Sequence, residues 1–217
     1  MKIIATIHNQ YKEKFAVPRQ SGIAKDIISE IVFEKEYRND DALRGIEQFS
    51  HLWIIWNFSQ NKDDKWRPTV RPPRLGGNKR VGVFATRSPY RPNAIGLSSV
   101  KFEGLKKTKD NGTIILVSGA DMTDGTPIFD IKPYVKYSDC HPDAVCSFAD
   151  EFANYRLDVR FECDICDDLK QKITQILQSD PRPAYQNDIE RIYGASICGK
   201  EVKFRADNNT ITVLEIK

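Results

Sequence analysis

The run HLWIIWNF, residues 51–58, decides the fold. It is apolar almost throughout, of strand length, and rich in aromatic and β-branched residues, so it reads as a central strand of a sheet. Working toward the N-terminus, Asp40-Asp41 precede Ala42, Leu43, Ile46 and Phe49 at helical spacing. That predicts a short helix with acids at its positive end. Ile27 to Phe33 and Lys2 to Ile7 read as strands, with YKEKFAVPRQSG between them as an ordered loop. Toward the C-terminus, strands are expected at Val81–Thr86, Ser98–Phe102, Thr113–Ser118 and Pro127–Tyr134, with a turn at KKTKDNGT. Many short strands, frequent Gly/Pro turns and little helix predict a closed or sandwich-like β structure. No strand leads into GxGxxG and a helix, which argues against a Rossmann site.

Composition changes near Asp139. Asp164 to Gln178 places Ile165, Leu169, Ile173, Ile176 and Leu177 on one stripe, an amphipathic helix. Lys200–Ala206 and Thr210–Ile216 flank Asp207-Asn208-Asn209 as a hairpin. The chain is therefore read as mainly β / α+β, with an N-terminal β domain over 1–139 and a small α+β domain over 140–217.

Between the central strand and the next lies TVRPPRLGGNKRVGVFATRSPYRPNAIGL, residues 69–97, with five arginines, one lysine and no acid. From Lys65 to Lys107 there are eleven basic residues against Glu103 alone, a balance of +10. The remainder, 22 basic and 29 acidic residues, carries −7, which gives the formal net charge of +3. Arginine forks suit phosphate and carboxylate, so the one-sided run asks for an anionic partner such as nucleic acid or a nucleotide.

The apolar start of MKIIATIHNQ is too short for a signal-peptide core, and no run reaches membrane-span length. Five cysteines without framework spacing fit a reducing, cytoplasmic setting. Cys163 and Cys166 form a CxxC with no second pair in an acidic context, and are read as structural or incidental. His8, His51 and His141 lack ligand spacing, so no metal site is expected.

GADMTDGTPIFDIKPYV, residues 119–135, carries Asp121, Asp124 and Asp130. DGTP is a turn signature. In the following strand Asp130, Lys132 and Tyr134 alternate onto one face, an arrangement open to proton transfer, to substrate binding, or to a satisfied polar cluster. Residue chemistry alone stops at binding: a turn-built arginine platform and an aspartate-rich turn suit a nucleoside cofactor beside a polyanion.

Pro18-Arg19-Gln20, FSHLW, WRPTVRPPRLGG, GVFATRSPYRPNAIGLS, DGTPIFDIKPY and DPRPAY together resemble the TsaA-like, or TrmO, tRNA methyltransferases. The resemblance is dense over residues 1–137 and looser beyond. It implies a closed β-barrel-like domain that binds S-adenosylmethionine, a homodimer, and methylation of N6 of threonylcarbamoyladenosine in the anticodon stem-loop of tRNA. It places Arg19, Gln20, Phe58, Ser59, Arg87, Leu97, Asp121, Asp124, Gly125 and Thr126 at the cofactor. Ala94 stands where the family pattern often has proline. Asp130 or Tyr134 is expected to help remove the acceptor proton, with Lys132 or Arg87 offsetting the developing negative charge. Arg71, Arg74, Arg91 and Arg182 are expected to face tRNA. The competing reading is a non-catalytic RNA-binding module built on the same basic stretch. A phosphate-ester hydrolase is disfavoured, because no metal cluster or nucleophile–base pair stands out.

Overall fold

In the computed structural model, residues 1–61, 65–75, 78–182, 188–207 and 209–217 are described. The strands are β1 (Ala5–His8), β2 (Ile28–Phe33), β3 (His51–Asn57), β4 (Thr69–Val70), β5 (Val81–Gly82) and β6 (Ile95–Thr108). They continue with β7 (Gly112–Ser118), β8 (Pro127–Pro133), β9 (Asp158–Phe161), β10 (Tyr193–Ile197), β11 (Lys200–Ala206) and β12 (Thr210–Ile216). Helices are few: α1 (Lys136–Asp139), α2 (Asp167–Leu177) and short 3₁₀ turns. The protein is mostly β.

Six strands form a closed ring in the order β1-β2-β7-β6-β3-β8, because β1 pairs antiparallel with both β2 and β8. In β3 the period of two is plain: Leu52, Ile54 and Trp56 point inward, while His51 faces solvent. Ala5, Ile7, Ile31, Val100, Ile115, Val117 and Ile128 complete a fully enclosed core. Each such Leu or Ile contributes about 1.5–3 kcal/mol by burial. A closed ring leaves no free edge along these strands.

A second sheet, β10-β11-β12-β9, runs antiparallel except for the β12–β9 pair. The predicted stripe of α2 is realised: Ile173, Ile176 and Leu177 are buried against this sheet, while Asp167 and Asp168 occupy the first turn where the dipole favours them. Tyr11, Ala16, Ala24 and Ile27 belong to the same core. The long loop between β1 and β2 therefore stitches the second sheet to the ring.

Several elements differ from expectation. The segment after Asp40 is two 3₁₀ turns, Asp40–Leu43 and Ile46–Gln48, separated by Gly45 at φ 88°, a left-handed break that no α-helix accommodates. The strand expected at Val81–Thr86 stops at Gly82, and Val83–Ala85 forms a 3₁₀ turn. β6 is far longer than Ser98–Phe102 and stays paired with β7 past a bulge at Phe102–Gly104 that shifts the register, where Gly104 has φ 141°. β1 begins at Ala5 rather than Lys2. β9 and β10 were not expected. Gly76 and Gly77 of the RPPRLGG motif, residues 183–185 of DPRPAY, and Asn208 of the last hairpin lie outside the described residues. Among the described residues no helix is long and apolar enough to cross a membrane.

Candidate active site

A cavity of about 260 Å³ opens at the end of the ring where β3 runs out. Its apolar wall is Trp56, Phe58, Pro89 and Met122, and its polar wall is Ser59, Asp121, Thr123 and Thr126. Trp56 and Phe58 meet at 4.3 Å between ring centroids. Trp56 pairs across the sheet with Gly96, which has no side chain, so the indole lies over the β6 backbone. There its Nε1 donates to Ser98 Oγ at 2.9 Å, and Ser98 Oγ donates to Asp121 Oδ1. One indole, one hydroxyl and one carboxylate are thus fixed in line.

The turn carrying the two aspartates separates them electrostatically. Asp121 is desolvated, and burial raises its carboxyl above the usual range despite the Ser98 hydrogen bond and the nearby Arg87 charge. Asp124 is lowered: partial burial opposes ionisation, but the Lys12 ammonium at 2.7 Å, the Asn9 amide at 2.9 Å and His8 outweigh it. Asp124 is consequently a staple between the turn and residues 8–12, and it does not line the cavity. Gly125 N donates to Ile7 O at 2.9 Å with φ 75°, which anchors the turn on β1. Gly22 N donates to Gly119 O at 2.8 Å, and a Cβ on Gly119 would sit 3.0 Å from Gly22 Cα. That close approach brings the PRQ loop onto the cavity rim.

The arginines divide into two groups. Arg87 Nη1 donates to Gln20 Oε1 at 2.7 Å; neither lines the cavity, although the Arg87 charge acts on Asp121. Arg19 points elsewhere: it donates to Asp180 O at 2.9 Å and to Arg182 O at 2.6 Å. Arg74 donates to Ser179 O at 3.2 Å, with its guanidinium 5.0 Å from the Tyr155 ring centroid. Arg182 is only 6% exposed and spends its guanidinium on Asp180, Ala206 O and Asp207 O. Arg182 was expected on the RNA side, but it is an internal strut, because a buried fork with that many partners has no face left for a phosphate. Arg19 and Arg74 brace the carbonyl groups just beyond the C-terminus of α2, where cations are favoured. Arg91 Nη1 donates to Val83 O at 3.1 Å and Thr86 O at 2.7 Å, while Arg71 is exposed.

Asp130, Lys132 and Tyr134 come together as their spacing predicts. Lys132 Nζ lies 3.0 Å from Asp130 Oδ2, and the Tyr134 ring is 5.7 Å from that of Trp53, which opposes Lys132 in the sheet. They occupy the outer face of the ring and do not line the cavity, since Ile131 between Asp130 and Lys132 packs against the core and a bulge separates Asp130 from the inward Ile128. Leu97 is on that face too, 53% exposed and opposite Ile55, so it does not line the cavity. Cys163 packs half-buried against the second core and Cys166 is exposed.

Phe58, Ser59, Asp121 and Thr126 are the expected residues that line the cavity. Trp56 and Pro89 were missed. The alternation of small residues Gly96 and Ser98 on the inward face of β6 was the available signal for the Trp56 seat.

Residues 6–140 match the tRNA-methyltransferase O N-terminal domain, and residues 151–217 match the TrmO C-terminal domain. The tRNA (adenine(37)-N6)-methyltransferase of Escherichia coli is 44% identical over 86% of this chain and 83% of its own length. A putative S-adenosylmethionine-dependent methyltransferase, RcsF, of Pseudomonas aeruginosa is 38% identical over 98% of this chain and 95% of its own. A crystal structure of TrmO superposes with a TM-score of 0.79 at 30% identity, covering 99% of this chain and 96% of that one. The chain belongs to the tRNA-methyltransferase O family.

Proposed function

We propose that this protein transfers a methyl group from S-adenosylmethionine to N6 of adenine 37 in tRNA, with threonylcarbamoyladenosine as the acceptor. The observation that carries the reading is the cavity itself, an aromatic wall facing a desolvated carboxylate beside a basic loop. Its residues fit the cofactor. Trp56 and Phe58 offer flat apolar surface to adenine, and Asp121 offers an acceptor to ribose hydroxyls and a counter-charge to a sulfonium. The volume lies just under the roughly 300 Å³ at which small-molecule sites usually begin, so the nucleoside end fills it and the remainder extends beyond it toward Gln20 and Arg87. When bound, the cofactor supplies a methyl group already activated for transfer.

The chain's own task is to position and deprotonate the acceptor. Its N6 is conjugated to a ring and a carbonyl and is weakly nucleophilic until it loses a proton. Asp130 or Tyr134 of one protomer's outer face, meeting the cavity of its partner, receives that proton, and Lys132 or Arg87 offsets the negative charge that develops. A homodimer is part of this reading: Leu97, Ile55 and Trp53 make an apolar strip on the outer face beside Asp130, which a second copy would cover. The RNA-facing charge rests on Arg71 and its exposed neighbours Lys79, Arg80 and Arg87. A division of the chain near residue 140 is supported by family matches that stop at 140 and resume at 151. A tRNA-modifying role agrees with a cytoplasmic location. Methyl transfer to modified tRNA should fall for Asp130→Ala, Lys132→Ala and Tyr134→Phe, and wild-type rates in all three would remove the catalytic assignment.

A further inference from the structure

Phe84 stands out from the basic loop. It is 71% exposed, although its neighbour Val83 is 1% exposed and anchors the same turn. An exposed phenyl ring gains nothing from the fold, so its rigidity is the informative feature. Val83 N donates to Pro68 O at 3.0 Å, and the Val83 carbonyl accepts from Thr86 N at 3.1 Å and Thr86 Oγ1 at 2.9 Å. Arg91 completes the lock by donating to Val83 O and Thr86 O. Its guanidinium carbon then lies 5.6 Å from the centroid of the Phe84 ring. Arg91 is therefore fixed against the ring as a backing cation, while the rest of the phenyl surface faces solvent. In the same loop Arg71, Lys79, Arg80 and Arg87 are exposed, and no acid occurs between Lys65 and Phe102 in sequence. The same loop reaches the cavity wall five residues on, at Pro89.

A preset aromatic ring backed by arginine in a strongly basic loop has the chemistry that holds an unpaired base. The π-face stacks on any nucleobase, and the loop's charge tracks the phosphates. A base inside a duplex offers no free face to such a ring. Resting on the tRNA reading above, we propose that Phe84 is a stacking platform for an unpaired nucleobase of the anticodon loop, adjacent to the target adenosine. Holding that neighbour splays the loop so that the target nucleotide leaves the stack and reaches the cavity. Arg91 is then a positioning residue that presents Phe84, in place of the direct phosphate contact expected from the sequence.

The test compares full-length wild type, Phe84→Ala and Phe84→Trp on threonylcarbamoylated tRNA. Phe84→Ala should weaken tRNA binding and raise KM for tRNA at least about fivefold, leaving S-adenosylmethionine affinity by calorimetry and the melting temperature unchanged. Phe84→Trp should restore both tRNA parameters. An anticodon stem-loop carrying 2-aminopurine at each unpaired position in turn should show quenching at one position next to the target with wild type, and none with Phe84→Ala. Wild-type turnover with an unchanged KM in Phe84→Ala would overturn the platform alone. A dimer that dissociates in Phe84→Ala would also overturn it, because the ring would then be a protein contact. A wild-type protein that neither binds nor methylates this tRNA would overturn the tRNA reading and the platform with it.

Discussion

The indole of Trp56 lies across the backbone of Gly96, its directly opposed partner in the β3–β6 ladder, where a β-carbon would collide with the ring. This one contact sets the shape of the cavity. It lets Trp56 Nε1 reach Ser98, which in turn orients Asp121.

Gly96→Ala should therefore act on the cavity before it acts on the fold. The added methyl meets the rigid ring system, and overpacking of this kind costs about 1–3 kcal/mol. Calorimetry should show S-adenosylmethionine affinity falling at least tenfold, with circular dichroism still native. Unchanged affinity would mean that the indole does not shape the cofactor seat.

Asp121→Asn should stabilise the free protein near neutral pH while impairing cofactor binding. Burial raises the Asp121 carboxyl in the folded chain, so its ionised form is disfavoured there. Below the ordinary carboxylate range, about pH 4, both folded and unfolded states are protonated and the burial penalty is absent. As pH rises, the unfolded chain ionises first, and stability is lost until the folded pKa is passed. The variant should melt roughly 2–4 °C higher at pH 7 for each kcal/mol relieved, and the gain should vanish near pH 3. A melting temperature that falls at pH 7 would contradict the assigned strain.

How much of this was legible beforehand differs by kind of information. The apolar run HLWIIWNF and the Ile/Leu stripe of α2 are local patterns, and both produced the elements they predict. Motif resemblance located Phe58, Ser59, Asp121 and Thr126. Trp56 was unreadable as a cavity residue, because in a strand it counts only as one more inward apolar position. Arg19, Arg74 and Arg182 were misassigned for a related reason. A phosphate-binding guanidinium and one bound to carbonyl oxygens have the same sequence, and the acceptors of Arg19 lie 161 and 163 positions away.

Arg182 and Arg71 should separate stability from RNA binding. Arg182→Ala strands the Asp180 carboxylate and the Ala206 and Asp207 carbonyl groups, a loss on the order of 3 kcal/mol. Arg71 is exposed and its replacement by alanine should leave the denaturant midpoint unchanged. It should instead weaken tRNA binding and flatten the salt dependence by about one phosphate contact. If urea titration finds Arg182→Ala as stable as wild type, the strut assignment is wrong.

The central claim is methyl transfer to one nucleoside. Purified protein, S-adenosylmethionine and tRNA containing threonylcarbamoyladenosine should be incubated together, and the digested nucleosides resolved by mass spectrometry. The account predicts that threonylcarbamoyladenosine is depleted and a product one methyl group heavier appears, with the methyl on N6. A profile identical to that of the protein-free control, with cofactor binding confirmed by calorimetry, would contradict it.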